Sequence, residues 1–123
     1  MFLIDGNNVM AQRVGWHRDK PNAQKRLLKH ISEKIITNGG NAIVVFDGTP
    51  LRNLNDGDLF DGVKVFFAHP GSDADHRIIE LAERLKHQDN IITVTSDKLL
   101  AQNLKCLGID VMRSGRFRKV LEK

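Results

Sequence analysis

Short apolar runs recur along the chain, and three of them stop at a polar, acidic end. Met1-Phe2-Leu3-Ile4 meets Asp5-Gly6-Asn7-Asn8, Ile43-Val44-Val45-Phe46 meets Asp47-Gly48, and Ile91-Ile92-Thr93-Val94-Thr95 meets Ser96-Asp97. Runs of this length bounded by turn residues predict buried strands. Their shared ending predicts three neighbouring strands that aim carboxylates at one place. Val63 to Ala68 and Ile109 to Met112 predict two further strands.

Between the runs the apolar period changes to that of a helix. Leu27, Leu28, Ile31 and Ile35 share one face of a helix that begins near Pro21 and Asn22 and stops at Asn38-Gly39-Gly40. Ser72-Asp73-Ala74-Asp75 opens a second helix buried through Ile78, Ile79, Ala82 and Leu85. A third runs from Asp97 through Leu107, uses Leu100, Leu104 and Leu107, and ends at Gly108. Val9 to Asn22 reads as irregular and Thr49 to Gly62 as a polar connector. The basic tail from Arg113 to Lys123 reads as a short helix. Strands alternating with helices predict a three-layer α/β fold around a mostly parallel sheet of about five strands.

Composition narrows the picture without changing it. The 123 residues make one domain, 1–123, with ordinary hydrophobic (41%) and charged (28%) content, so a buried core is expected. A formal charge of +4 leans weakly towards an anionic partner. The single cysteine, Cys106, excludes an intrachain disulfide framework, and its position on an apolar helix predicts a core residue rather than a nucleophile. No apolar run reaches the length of a membrane span, and the amino terminus reads as a strand instead of a targeting segment. A cytoplasmic protein with no membrane partner is expected.

The chemistry lies in the aspartates. In open parallel sheets function collects at the carboxyl ends of the strands. Asp5, Asp47 and Asp97 fall there, and Asp75 lies in the first turn of the helix that follows another strand end. Converging carboxylates repel one another, which raises their pKa values or destabilises the fold. A divalent cation removes that conflict, and an oxygen-only donor set suits magnesium or manganese. Such a site can activate water against a phosphodiester. Each residue has a plainer role open to it as well. Asp-Gly after a strand is a turn signal, Ser72-x-x-Asp75 is a capping-box pattern, and Asp97 can start its helix. Asp73, two residues from Asp75, cannot face the same way if both are helical. Asn8 can orient a carboxylate or serve as a turn amide.

Other chemistries lack their residues. Neither G-x-x-x-x-G-K-[ST], G-x-G-x-x-G nor G-x-S-x-G is present. The histidines at 17, 30, 69, 76 and 87 show no zinc spacing with the lone cysteine. The Asn53 to Asp58 stretch resembles a calcium loop only out of register, because Arg52 takes the first ligand position and no glutamate closes it. It reads as a solvated loop. A D-x-D phosphatase needs an acid two residues after Asp5, where Asn7 stands.

Ile4-Asp5-Gly6-Asn7-Asn8-Val9, Val45-Phe46-Asp47-Gly48, Ser72-Asp73-Ala74-Asp75-His76-Arg77-Ile78, Val94-Thr95-Ser96-Asp97 and Leu107-Gly108 through Arg113-Ser114 together resemble the NYN domain. This is the PIN-like nuclease group that includes the YacP-like ribonucleases. The pieces occur in the family's order across nearly the whole chain. The resemblance implies a Rossmann-like, PIN-like sheet, a Mg2+ or Mn2+ site and RNA as substrate. Asp5, Asp75 and Asp97 match the principal metal-site acids, Asn8 the motif's amide, and Asp47 a recurrent acid beside them. The chain departs at Asn7, where YacP-like members usually carry tyrosine, and it lacks much of their carboxyl-terminal extension.

The sequence therefore predicts an endoribonuclease acting on single-stranded RNA. Its phosphates would be held by Arg13, Arg18 and Lys20 on the first loop and by Arg113, Arg116, Arg118 and Lys119 at the tail. Trp16 and Phe117 are placed to stack bases, and Phe117 is equally placed to pack the tail onto the body. Three rivals remain open: a non-catalytic RNA-binding module on the same fold, a small-molecule metal-dependent phosphohydrolase, and a purely structural interaction domain.

Overall fold

The computed structural model describes residues 1–48 and 53–122. Strand β1 (Phe2–Asp5) passes directly into a short helix, α1 (Gly6–Met10). A 3-10 turn, Trp16–Asp19, leads into α2 (Lys20–Ile31), which widens into a π-helical turn, Ser32–Ile36, before β2 (Ala42–Phe46). A hairpin of β3 (Leu59–Phe60) and β4 (Val63–Phe67) follows, then α3 (Ala74–Leu85) and β5 (Ile92–Val94). The chain continues through α4 (Lys98–Cys106), β6 (Asp110–Met112) and α5 (Ser114–Glu122).

The strands form one sheet in the order β3-β4-β2-β1-β5-β6. Every pairing is parallel except β3 with β4, whose tight turn places Asp61 and Gly62 at φ 48° and 87°. Alternation along the strands divides the core into two. Ile4, Val44, Phe46, Val65 and Val94 face α1, α2 and α5, where they meet Leu28, Ile31 and Phe117. Leu3, Ile43 and Val45 face α3 and α4, where they meet Ile78, Ala82, Leu100 and Leu104. The expected three layers are present, with β1 and β2 buried on both faces as a central parallel strand requires. Among the described residues no helix is long and apolar enough to cross a membrane.

Several local expectations need correction. The sheet has six strands, because β3 forms within the stretch read as a connector; Thr49 to Arg52 of that connector lie outside the described residues. The Asn53 to Asp58 loop is tied down: Leu54 is buried, and Asp56 accepts from the Phe67 N–H (2.8 Å) and from Arg77 (3.0 Å). Asp73, and not Ser72, caps α3 by accepting from the His76 N–H at 2.9 Å. Cys106 is exposed, since α4 turns Leu100 and Leu104 to the core and leaves Cys106 on its outer face. The segment Val9 to Asn22 is partly helical, with Asp19 capping α2 just before the expected start.

One close approach sets the geometry of the rim. A Cβ on Gly6 would lie 2.5 Å from Cε1 and 2.6 Å from Cδ1 of Phe46, and 2.9 Å from Val44 Cγ1. Phe46 is completely buried and has no room to withdraw. Gly6→Ala is therefore expected to cost about 1–3 kcal/mol through forced displacement of α1 from β2. Urea unfolding of the two proteins measures it, and equal midpoints would refute the packing account.

Candidate active site at the carboxyl rim of the sheet

The strand order reverses beside β1: the chain proceeds from β1 to β2 and β4 on one side, then returns to place β5 on the other. That switch point is where a parallel sheet opens a crevice. Asp5 ends β1 at its edge, and Thr95, Ser96 and Asp97 follow β5. Asp47 follows β2, and Asp75 stands in the first turn of α3.

The aspartates act on one another. Asp5 is 5% exposed, and its pKa is pushed up from 3.8 to about 6. Burial is the main cause, the Thr95 hydroxyl opposes it, and the charges of Asp75 and Asp47 push further up. The pKa of Asp75 is also raised, by burial first and then by Asp97, Asp73 and Asp47. Asp75 is thus the electrostatic centre of the group: it acts on Asp5 and feels Asp47 and Asp97. Asp73 adds to the repulsion on Asp75 while its own pKa is lowered by the backbone N–H and ring of His76.

The same residues hold the rim together. Thr95 Oγ1 donates to Asp5 Oδ2 at 3.0 Å and accepts from the Asp97 N–H at 3.2 Å, linking the two acids through one buried hydroxyl. Asp97 Oδ1 caps α4 by accepting from the Leu100 N–H at 2.9 Å. Asp47 Oδ1 accepts from the Ala74 N–H at 2.7 Å, fixing the start of α3. Asp97 thus starts its helix, one of the two roles its sequence position leaves open, and Asp47, read as a turn residue or a site acid, fixes a helix start as well. Asn7 Oδ1 accepts from the Asp47 N–H at 2.9 Å, and Asn8 Oδ1 accepts from the Ser96 N–H at 2.8 Å and the Ser114 hydroxyl at 2.5 Å. The Ser114 N–H in turn donates to Ser96 Oγ at 2.9 Å.

Thr95, Ser96, Ser114 and Asn7 have no role that the sequence assigns. The hydroxyl pair directly before Asp97 carries a usable signal, since a buried hydroxyl at a strand end needs a partner. Ser114 lies far along the chain from Asn8 and carries none.

The basic residues do not form one surface. Arg13, Arg18 and Arg118 line a groove of about 260 Å³ together with Trp16, Arg26 and Leu27. Lys20 sits with its ammonium 5.6 Å from the Trp16 ring centroid. Arg113 lines a different recess, with Lys98 and Lys105 beside Thr95 and Ser96. Arg116 and Lys119 are exposed on α5 and line neither. Phe117 cannot stack a base: it is fully buried against Phe2, ring centroids 5.3 Å apart, because it is the anchor that packs α5 onto the sheet.

The profile of the YacP-like NYN domain matches residues 2–123. The fold is similar to the crystal structure of Rae1 (YacP) from Bacillus subtilis, with a TM-score of 0.81 at 23% identity, covering 99% of this chain and 73% of that one. The W164L mutant of the same protein matches with a TM-score of 0.80 at 23% identity, covering 98% and 74%. No curated protein matches the chain significantly.

The buried acid makes stability depend on pH. Asp5 has a higher pKa folded than unfolded, so between pH 3.8 and about 6 the native state keeps a proton that the unfolded chain has released. Stability from this residue is full below that window and falls as pH rises through it, by about 3 kcal/mol in the limit. In chelator, Asp5→Asn should remove most of this fall and be the more stable protein at pH 7. Urea midpoints at pH 4 and pH 7 test it; parallel pH profiles for the two proteins would overturn it.

Proposed function

Because the chain belongs to the YacP-like NYN domain family, a family of RNA-processing nucleases, we propose that it is a metal-dependent endoribonuclease that cleaves single-stranded RNA. The observation that carries this reading is the set of mutually repelling carboxylates, Asp5, Asp47, Asp75 and Asp97, at the switch point of the sheet. A fold that merely needed turns and caps there gains nothing from raising the pKa of a buried aspartate. A site that neutralises the acids with a cation does.

The donor chemistry fits magnesium or manganese. It is all oxygen, the Asp75 carboxylate accepts no hydrogen bond among the described residues, and Asp47 and Asp97 each commit one carboxylate oxygen to a helix start. No three histidine, cysteine, aspartate or glutamate side chains among the described residues are gathered to hold an ion by themselves. Magnesium, which keeps several of its waters and takes one or two carboxylates, does not need such a group. Asp5, Asp75 and Asp97 would surround the ion, one or two of them directly and the rest through its retained waters, with Asp47 adding charge beside them. When bound, the ion supplies Lewis acidity towards the phosphodiester and lowers the pKa of water.

The chain's own residues supply position. The Thr95 hydroxyl fixes Asp5 against Asp97, and Asn8 fixes the Ser96 backbone that leads into Asp97. Asn8 acts through its neighbours in this arrangement and is a positioning residue. Burial of Asp5 keeps bulk water from screening the charge it directs into the crevice. The lack of a tightly gathered ligand group also favours a second reading, an RNA-binding module that does not cut.

Cleavage of a labelled mixed-sequence single-stranded RNA in magnesium, manganese or chelator separates the two. Asp97→Asn keeps a good helix cap while removing the charge, and Asp75→Asn alters no hydrogen bond. Both should remain folded by circular dichroism and lose about two orders of magnitude or more in rate, equivalent to several kcal/mol of transition-state stabilisation. RNA binding without cutting in any metal would establish the binding module instead.

A further inference from the structure

The groove between the Arg13 to Asp19 segment, α2 and α5 lies outside the acidic crevice, and its walls combine two kinds of surface. Met10 and Leu27 provide apolar backing, and half-buried Trp16 presents an aromatic ring. Around them stand Arg13, Arg18 and Arg26, all exposed.

The charges in the groove are not balanced internally. Asp19 is committed to the start of α2, accepting from the Asn22 N–H at 3.4 Å and its side-chain amide at 2.6 Å. Glu122 pairs with Arg118 at 3.3 Å. Arg13, Arg18 and Arg26 make no ion pair among the described residues. A purely apolar ligand would leave three guanidinium groups unused, and a simple anion would leave the indole unused. A nucleotide has both a flat π-face and a phosphate, and base stacking on aromatic side chains beside arginines is a general mode of single-strand binding.

Position adds to the chemistry. Helix α1 begins after Asp5 and ends at Met10, which lines the groove. Its five residues span only about 7 Å, so one RNA strand can occupy the crevice and the groove together. Trp16 is held in place, since Lys20 lies over its ring and the side chain packs against the core cluster that holds Leu27 and Leu28.

We propose that this groove is a subsite for single-stranded RNA away from the scissile phosphate, with a base stacked on Trp16 and neighbouring phosphates held by Arg13, Arg18 and Arg26. The assignment rests on RNA being the substrate, but its test does not require cleavage. Trp16 is the sole tryptophan in the chain, so its emission reports the groove directly. Titration of Asp97→Asn protein with a short single-stranded RNA in chelator should quench that emission saturably.

Arg13→Ser combined with Arg26→Ser should weaken binding about tenfold and lower the slope of log affinity against log salt by about 1.4, the value for two single-strand phosphate contacts. Trp16→Ala should weaken RNA binding, read by anisotropy of a labelled strand, by about tenfold, and Trp16→Phe should restore most of it. RNA that binds by anisotropy without changing Trp16 emission would overturn the subsite. So would inorganic polyphosphate giving the same quench as RNA, or no RNA binding at all. Quenching by RNA in a protein whose wild type never cuts would uphold the subsite and refute the nuclease reading; cutting with a silent Trp16 would do the reverse.

Discussion

The site depends on one abrupt event, the passage of β1 into α1 with no connecting loop. Asp5 is the last residue of the strand and Gly6 the first of the helix. The turn is possible because Gly6 lets the helix lie against Phe46 and Val44 at distances no side chain could occupy. That contact pins Asp5 at the rim, almost wholly out of reach of solvent. It also starts α1 so that Asn7 and Asn8 reach to opposite sides, one to the end of β2 and the other to the end of β5. A single glycine contact thereby sets the spacing of three strand ends.

Electrostatics at the rim follows from that geometry. An aspartate forced out of water, with Asp75 and Asp47 near it, has its charged form penalised, and the fold carries the penalty at neutral pH. The neighbouring acids are kept in place by bonds that also start helices, Asp47 to α3 and Asp97 to α4. Capping fixes one oxygen of each side chain and leaves the other without a hydrogen bond among the described residues. Carboxylates and helix starts meet here because a helix amino terminus and a parallel strand's carboxyl end lie at the same edge of the sheet.

The layer formed by α1, α2 and α5 extends the molecule's chemistry beyond the acids. Phe117 packs α5 onto the sheet, and Ser114 binds its first turn to Asn8 and Ser96. With α5 so fixed, Arg118 closes one side of the groove that Trp16 and Arg26 line on the other. Acidic rim and basic groove lie at the two ends of α1, so charges of opposite sign are separated along that short helix.

The sequence alone determined the alternation of strands and helices, the parallel sheet and the acids at its edge. Those features are written locally: apolar runs of strand length, helical periods, and aspartates placed directly after both. It also carried the family, through ordered pieces spread over nearly the whole chain. What it left undecided were roles that depend on partners distant in the chain. Phe117 reads as an aromatic among arginines, and only packing against Phe2 shows that it belongs to the core. The cations read as a first-loop group and a tail group, whereas the fold splits the tail, sending Arg118 to the groove with Arg13 and Arg113 to another recess. Asp47 read as a turn residue or a site acid and Asp97 as a helix start or a site acid, and the fold shows that each fixes the start of a helix. Backbone period is fixed by neighbours a few residues away, but the destination of a side chain is fixed by whatever the fold brings against it.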